Sequence, residues 1–272
     1  MKNRFFPLLL ALAGGAAAFA LRWMQDRTGF EADTGLDVPG NLYARLLPAV
    51  LAVLAVLLVL ALRRVPSEKD GSALPFSACF SAGGAGALSV TVLGAMVLLL
   101  SGALELFGAL LTLRGGILPL VGQTVSPLAA AAHGVLLLIT GGCLFPILRA
   151  CRRSGPESDA APGFLLAIPV CLVIQLVLIY REDSVNPTLN AYYPELLALI
   201  FLLLGFYRLS SFAFGSGKTR RFLLYALLST IFCMTALADS IGLAGKLALI
   251  GGACTLFGFS ILRLQNCGTG LD

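Results

Sequence analysis

Six apolar stretches without a charged residue, and two more broken by one or two, run through this chain of 272 residues, with Lys and Arg gathered mostly in alternate gaps. Backbone N–H and C=O groups surrounded by lipid must bond within their own segment. An apolar run of about 20 residues therefore reads as a helix crossing the hydrocarbon core of about 30 Å. The pattern predicts an all-α, polytopic transmembrane bundle of about eight spans, at roughly 5–23, 41–62, 84–111, 127–148, 162–180, 192–214, 220–238 and 242–263. Connections are short. The longest is the acidic stretch from about Met24 to Gly40, with Asp26, Glu31, Asp33 and Asp37, so residues 1–272 read as one integral membrane domain.

Two of the charge-free runs are too long for one crossing. Gly71 to Leu104 is 34 residues, about 51 Å as straight helix. Pro75, Gly83, Gly84 and Gly86 mark the expected loop at the start of the first run, and Gly122 and Pro127 do so in the second.

Lys and Arg in short loops are retained in the cytoplasm, which gives the bundle sides. Lys2, Arg4, Arg63, Arg64, Lys69, Arg149, Arg152, Arg153, Arg208, Lys218, Arg220, Arg221 and Arg263 fall on one side. Arg22, Arg27, Arg45, Arg114, Arg181 and Lys246 fall on the other. The larger group places both termini in the cytoplasm, in accord with an even number of spans. The net charge of +5 is then a topological signal. Short basic clusters without a basic domain or interleaved aromatics exclude a nucleic-acid footprint. Ala18-Phe19-Ala20, behind Lys2, Arg4 and an apolar run, resembles a signal-peptidase site. The run continues to the interfacial Trp23, which suits a retained span; cleavage would leave seven.

Chemistry is harder to find. Seven cysteines without a CxxC pair read as small apolar residues, and His133, the sole histidine, permits neither a multi-His zinc site nor HExxH. No cofactor is implied. Phe212 to Thr219, FAFGSGKT, ends like a phosphate-binding loop, but Phe212 stands where the pattern needs Gly and a helix precedes it in place of a strand. Motifs of intramembrane proteases are absent as well.

Ionisable groups inside a span cost about 2.5–3.5 kcal/mol on insertion scales and generally face protein or water. Counted inward from Arg114, Pro127 and Arg181, Glu105, His133 and Gln175 lie roughly 9–14 Å below the outer surface. Three polar groups from the third, fourth and fifth spans thus share a depth. Arg181, Glu182, Asp183, Asn186, Glu195, Asp239 and Lys246 sit on the same side. These residues predict an outward-opening ligand pocket drawn from Glu105, His133, Gln175, Arg181 and Asp239, with Glu105 and His133 as a pair able to exchange a proton or hold a cationic or hydroxylated ligand. The plainer alternative gives each residue one interhelical hydrogen bond. Glu195 after Pro194 also suits a helix's first turn, and Arg208 can reach lipid phosphates. Gly14/Ala18, Gly83/Ala87 and Cys254/Gly258 have the four-residue spacing that lets helices approach closely.

Asn41-Leu42-Tyr43 after Val38-Pro39, and Asn190-Ala191-Tyr192 after Asn186-Pro187, open the second and sixth spans, as a four-plus-four duplication would require. The segments FEADTGLDVPG (Phe30 to Gly40) and YREDSVNPTLNAYYPELLALIFLLLGFYRLSSFAFG (Tyr180 to Gly215) resemble uncharacterised bacterial multi-pass membrane proteins. That resemblance implies a bacterial cell membrane and carries no activity or functional residue. The expected role is a permease-like or ligand-sensing membrane domain without catalytic apparatus, with the lipid bilayer and a small-molecule ligand or membrane-protein partner as its contacts. A structural or partner subunit of a membrane complex is the alternative, and an enzyme acting on lipid comes third.

Overall fold

The computed structural model describes residues 4–31, 36–65, 76–81, 85–115, 126–152, 161–183 and 189–267. Asp33, Lys2, Lys69, Arg153, the loop markers Pro75, Gly83, Gly84 and Gly122, and Asn186-Pro187 lie outside the described residues, as do the side chains of Glu182, Asp183 and Asn190. The described chain forms helices α1 (Phe6–Thr28), α2 (Leu42–Leu62), α3 (Phe76–Cys79), α4 (Ala85–Leu113), α5 (Pro127–Arg152), α6 (Ala161–Asp183), α7 (Leu189–Ala213), α8 (Thr219–Ala236) and α9 (Leu243–Asn266). Seven of the eight long ones are long and apolar enough to cross a membrane. The protein is an all-α bundle of membrane-spanning type.

The helix that falls short of that apolarity is α8, which opens on Arg220 and Arg221. Its position explains this. It is packed by α1, α7 and α9, and most of its residues are buried, so protein rather than lipid surrounds it. By contrast, α2 turns Val53, Val56 and Leu60 outward, and α6 does so with Val170, Val173 and Val177. In a bilayer such surfaces lose nothing by facing lipid, and helix association rests on close packing instead.

Glycine supplies that packing around α4. A Cβ added at Gly94 would come 2.7 Å from the Gly251 carbonyl oxygen, and one at Gly251 would come 2.9 Å from that of Gly94. Gly102 and Gly134 meet in the same reciprocal way, at 2.8 and 2.9 Å, so α4 is seated backbone-to-backbone between α9 and α5. Further round, α6 packs on α5 and α7, and α7 touches α9 more sparingly, closing a five-helix ring of α4, α5, α6, α7 and α9. On its outside lie α8, α1 and α2. No seam joins α2 to α4 as α7 is joined to α8, so these contacts do not follow a four-plus-four duplication.

The long helices alternate in direction and give the bundle two unlike ends. One, the basic end, collects the described basic residues from Arg4 to Arg263 that the sequence groups together. All described acidic residues lie toward the other, the acidic end. At the basic end Phe80 packs edge-on against Phe212, Phe222 and Phe259, with ring centroids 5.1–5.7 Å apart. Arg263 donates from Nε to Thr219 Oγ1 at 2.9 Å and from Nη1 to the Cys79 carbonyl at 3.3 Å.

Several boundaries differ from expectation. The first span continues to Thr28, where Arg27 lies 3.9 Å over the Trp23 ring and Thr28 bonds back to Met24. The acidic connection is therefore shorter. Asn41 ends it by accepting from the Tyr43 and Ala44 amides, an N-cap for α2. The short α3, set in a stretch read as loop, is held by its phenylalanines. Since α7 begins at Leu189, Pro194 lies inside the helix rather than at its start. In FAFGSGKT, Gly215 has φ +67°, and any side chain at Gly217 would strike the Phe212 ring. The segment is a helix end followed by a tight turn.

Candidate functional site

A narrow cleft of about 30 Å³ lies within the five-helix ring. Toward the acidic end it is lined by His133 of α5, Gln175 of α6 and Glu195 of α7. Deeper, its walls are apolar: Leu137, Leu172, Leu199, Leu202, Phe206 and Leu249. From Glu195 to Phe206 the wall of α7 descends about 16 Å. Thr140 faces the lower part, with its hydroxyl donated to the Leu136 carbonyl at 2.8 Å.

Gln175 is the informative polar residue. It is 1% exposed, and its amide nitrogen has no hydrogen-bond partner. A buried donor left unmade costs about 1–3 kcal/mol, so this position is not explained by packing alone. Beside it His133 Nδ1 stands 3.8 Å from Glu105 Oε1, within ion-pair range and beyond hydrogen-bond length. Glu105 is buried behind the histidine and does not itself line the cleft. One turn away, Ser101 donates to the Ala244 carbonyl at 2.6 Å and ties α4 to the start of α9. His133 and Gln175 thus line one cleft, and Glu105 stands against His133 outside its lining.

The other two expected members stand elsewhere. Arg181 is exposed at the end of α6, outside the cleft lining. Asp239, in the turn from α8 to α9, is paired with Arg22 of α1, Nε to Oδ1 at 2.5 Å, with both side chains almost wholly buried. The guanidinium also lies 5.9 Å from the Phe30 ring centroid and 5.8 Å from that of Tyr193. Burial pushes the Asp239 carboxyl up to about 6, against the charge and hydrogen bond of Arg22, which pull it down; Asp26 adds to the rise and Lys246 opposes it. The pair adjoins the cleft in sequence, since Tyr193 is two residues before Glu195 and Lys246 follows Gly245 of the lining.

Two features escaped sequence reasoning, the pairing of Arg22 with Asp239 and the place of Glu195 in the cleft lining. Arg22 stands 217 residues from Asp239, and no spacing rule links them. Glu195 read as a first-turn acid, yet it lines the cleft; its period with Leu199, Leu202 and Phe206 was the available signal. At the basic end, burial pushes the Cys79 thiol up to about 11, consistent with a small apolar residue rather than a nucleophile. Comparison with protein-family models, curated proteins and solved structures finds no match to this chain.

Proposed function

We propose that this protein is a ligand-binding domain of permease-like or sensing type in a bacterial cell membrane, with its basic end in the cytoplasm and its cleft opening outward. The observation that carries the reading is the buried, unpartnered amide of Gln175 facing a cleft that His133 and Glu195 share. A purely structural subunit has no use for such a donor, whereas a ligand site does. Polar residues at membrane depth mark ligand or ion routes for the same reason. The Glu105–His133 pair, 3.8 Å apart, sets a carboxyl and an imidazole beside the cleft.

Cysteine accessibility tests this. Leu199→Cys, Leu202→Cys and Ala248→Cys, placed singly on the lining, should react with a membrane-impermeant maleimide added from outside. Val53→Cys, on the outward face of α2, should stay unlabelled. Lining positions as inert as Val53 would overturn the outward-open cleft.

A further inference from the structure

We infer that the seam between α7 and α8 holds the headgroup of an anionic phospholipid from the leaflet at the basic end, with its phosphate between Arg208 and Arg221. The inference is independent of the cleft and needs only that the bundle stands in a membrane.

Arg208 lies five residues before Ala213, the last residue of α7, and so about 8 Å inside the helix end. The 25 residues of α7 are about 37 Å long against a hydrocarbon core of about 30 Å, which puts the Arg208 backbone within the depth of that core. A charge at such depth generally faces protein or water. Here protein does not answer it: Nε is shut in without an acceptor, and every described acidic residue lies at the opposite end. The rings of Tyr207 and Tyr225 flank the guanidinium carbon, 5.5 and 5.9 Å from it. Their faces steady the cation but bring no countercharge. An anion is what the position lacks. Arg221 adds a second cation, exposed and one turn beyond Tyr225 on the same face of α8, toward the helix end. Two guanidinium groups set along one seam match the oxygens of a phosphate, which arginine grips through paired N–H donors. Deeper, the seam is apolar, with Phe201 stacked on Tyr225 and Phe232 at centroid distances of 6.5 and 4.7 Å. Acyl chains can continue along it, whereas a soluble phosphorylated ligand would set its polar remainder against those rings. The chemistry therefore selects a lipid.

The experiment uses the full chain, delipidated in detergent, with lipid binding read by native mass spectrometry. Phosphatidylglycerol should bind the unaltered protein about 20-fold more tightly than phosphatidylcholine with the same chains. Arg208→Gln and Arg221→Gln should each lower that preference about fivefold, the share of one cation at a lipid surface. Arg64→Gln removes an equal charge at the same end, just beyond α2, and should leave the preference within about twofold. Inorganic phosphate should not displace the lipid. Because Arg221 is exposed, its variant tests the site even where Arg208→Gln does not fold. No preference for phosphatidylglycerol, a full preference in folded Arg208→Gln, an equal loss in Arg64→Gln, or displacement by inorganic phosphate would overturn the assignment.

Discussion

At the basic end Arg263 is 3% exposed and its acceptors are supplied, Thr219 Oγ1 and the Cys79 carbonyl, beneath a tight group of phenylalanines. At the acidic end Gln175 is buried still deeper, and its amide nitrogen is given nothing. Gln25 Oε1 and Asp239 Oδ2 at that end are likewise buried without a hydrogen-bond partner. Burial is alike at the two ends, but satisfaction is not. The basic end is built as a closed joint, in which α3 and Phe80 are packed down by the ends of α5, α7, α8 and α9. The acidic end retains buried polar atoms that its own packing leaves without hydrogen-bond partners. One basic-end residue departs from the rule: Arg208 Nε lacks an acceptor, with Tyr207 and Tyr225 rings 5.5 and 5.9 Å from its guanidinium carbon.

Two substitutions should break the contrast most severely. Arg22→Leu leaves Asp239 buried without its cation, and loss of one partner from a buried pair costs about 3–5 kcal/mol. The unfolding midpoint of the detergent-solubilised protein at neutral pH should drop accordingly. The double variant Arg22→Leu/Asp239→Leu should recover much of the loss, because it removes both desolvation penalties. A double variant no better than the single one would mean that the pair's geometry, not its charge, holds α1 to the turn after α8. Phe80→Ala, at the other end, should cost about 3 kcal/mol by cavity formation with no rescue by any charge change.

The acidic end should also respond to pH. The Asp239 carboxyl titrates near 6 when folded against 3.8 as its ordinary value, so the folded state holds more protons between those limits. Stability therefore falls as pH rises from about 4 to about 6, by at most about 3 kcal/mol, and is flat on either side. Asp239→Asn should remove the slope. In Arg22→Leu the window should extend above pH 6, since the guanidinium that pulls the carboxyl down is gone. An unfolding midpoint that rises with pH across this window would contradict the burial of that carboxyl.

The spans were legible because lipid imposes one simple demand, about 20 apolar residues, and the two unlike ends because the basic residues gather at one of them. Counting inward from Arg114, Pro127 and Arg181 was enough to put Glu105, His133 and Gln175 together, since helix rise is fixed. Other features depended on tertiary facts. Asp239 was assigned to the pocket because it shares a side with it, while its partner, Arg22, comes from α1. The α4 seam uses Gly94/Gly251 and Gly102/Gly134, pairs from different helices, whereas spacing within one helix pointed to Gly14 and Gly258. The enclosure of α8 by three neighbours tolerates polar residues, so its sequence reads as a weaker span than its position makes it.

The smallest expected effect is the one that separates a site from a joint. Gln175→Leu removes a buried donor that has no partner and keeps most of the side chain's volume, so stability should be unchanged or rise by up to about 1 kcal/mol. At the basic end a comparable loss, Thr219→Val, removes the acceptor of Arg263 Nε and should lower stability by about 1–3 kcal/mol. Opposite signs for two buried polar groups of similar exposure would show that the acidic end holds Gln175 at the expense of stability. Proteins hold such residues where something other than folding requires them. Equal losses would mean that Gln175 already has its acceptor within the bundle, and the cleft would lose the group that defines it.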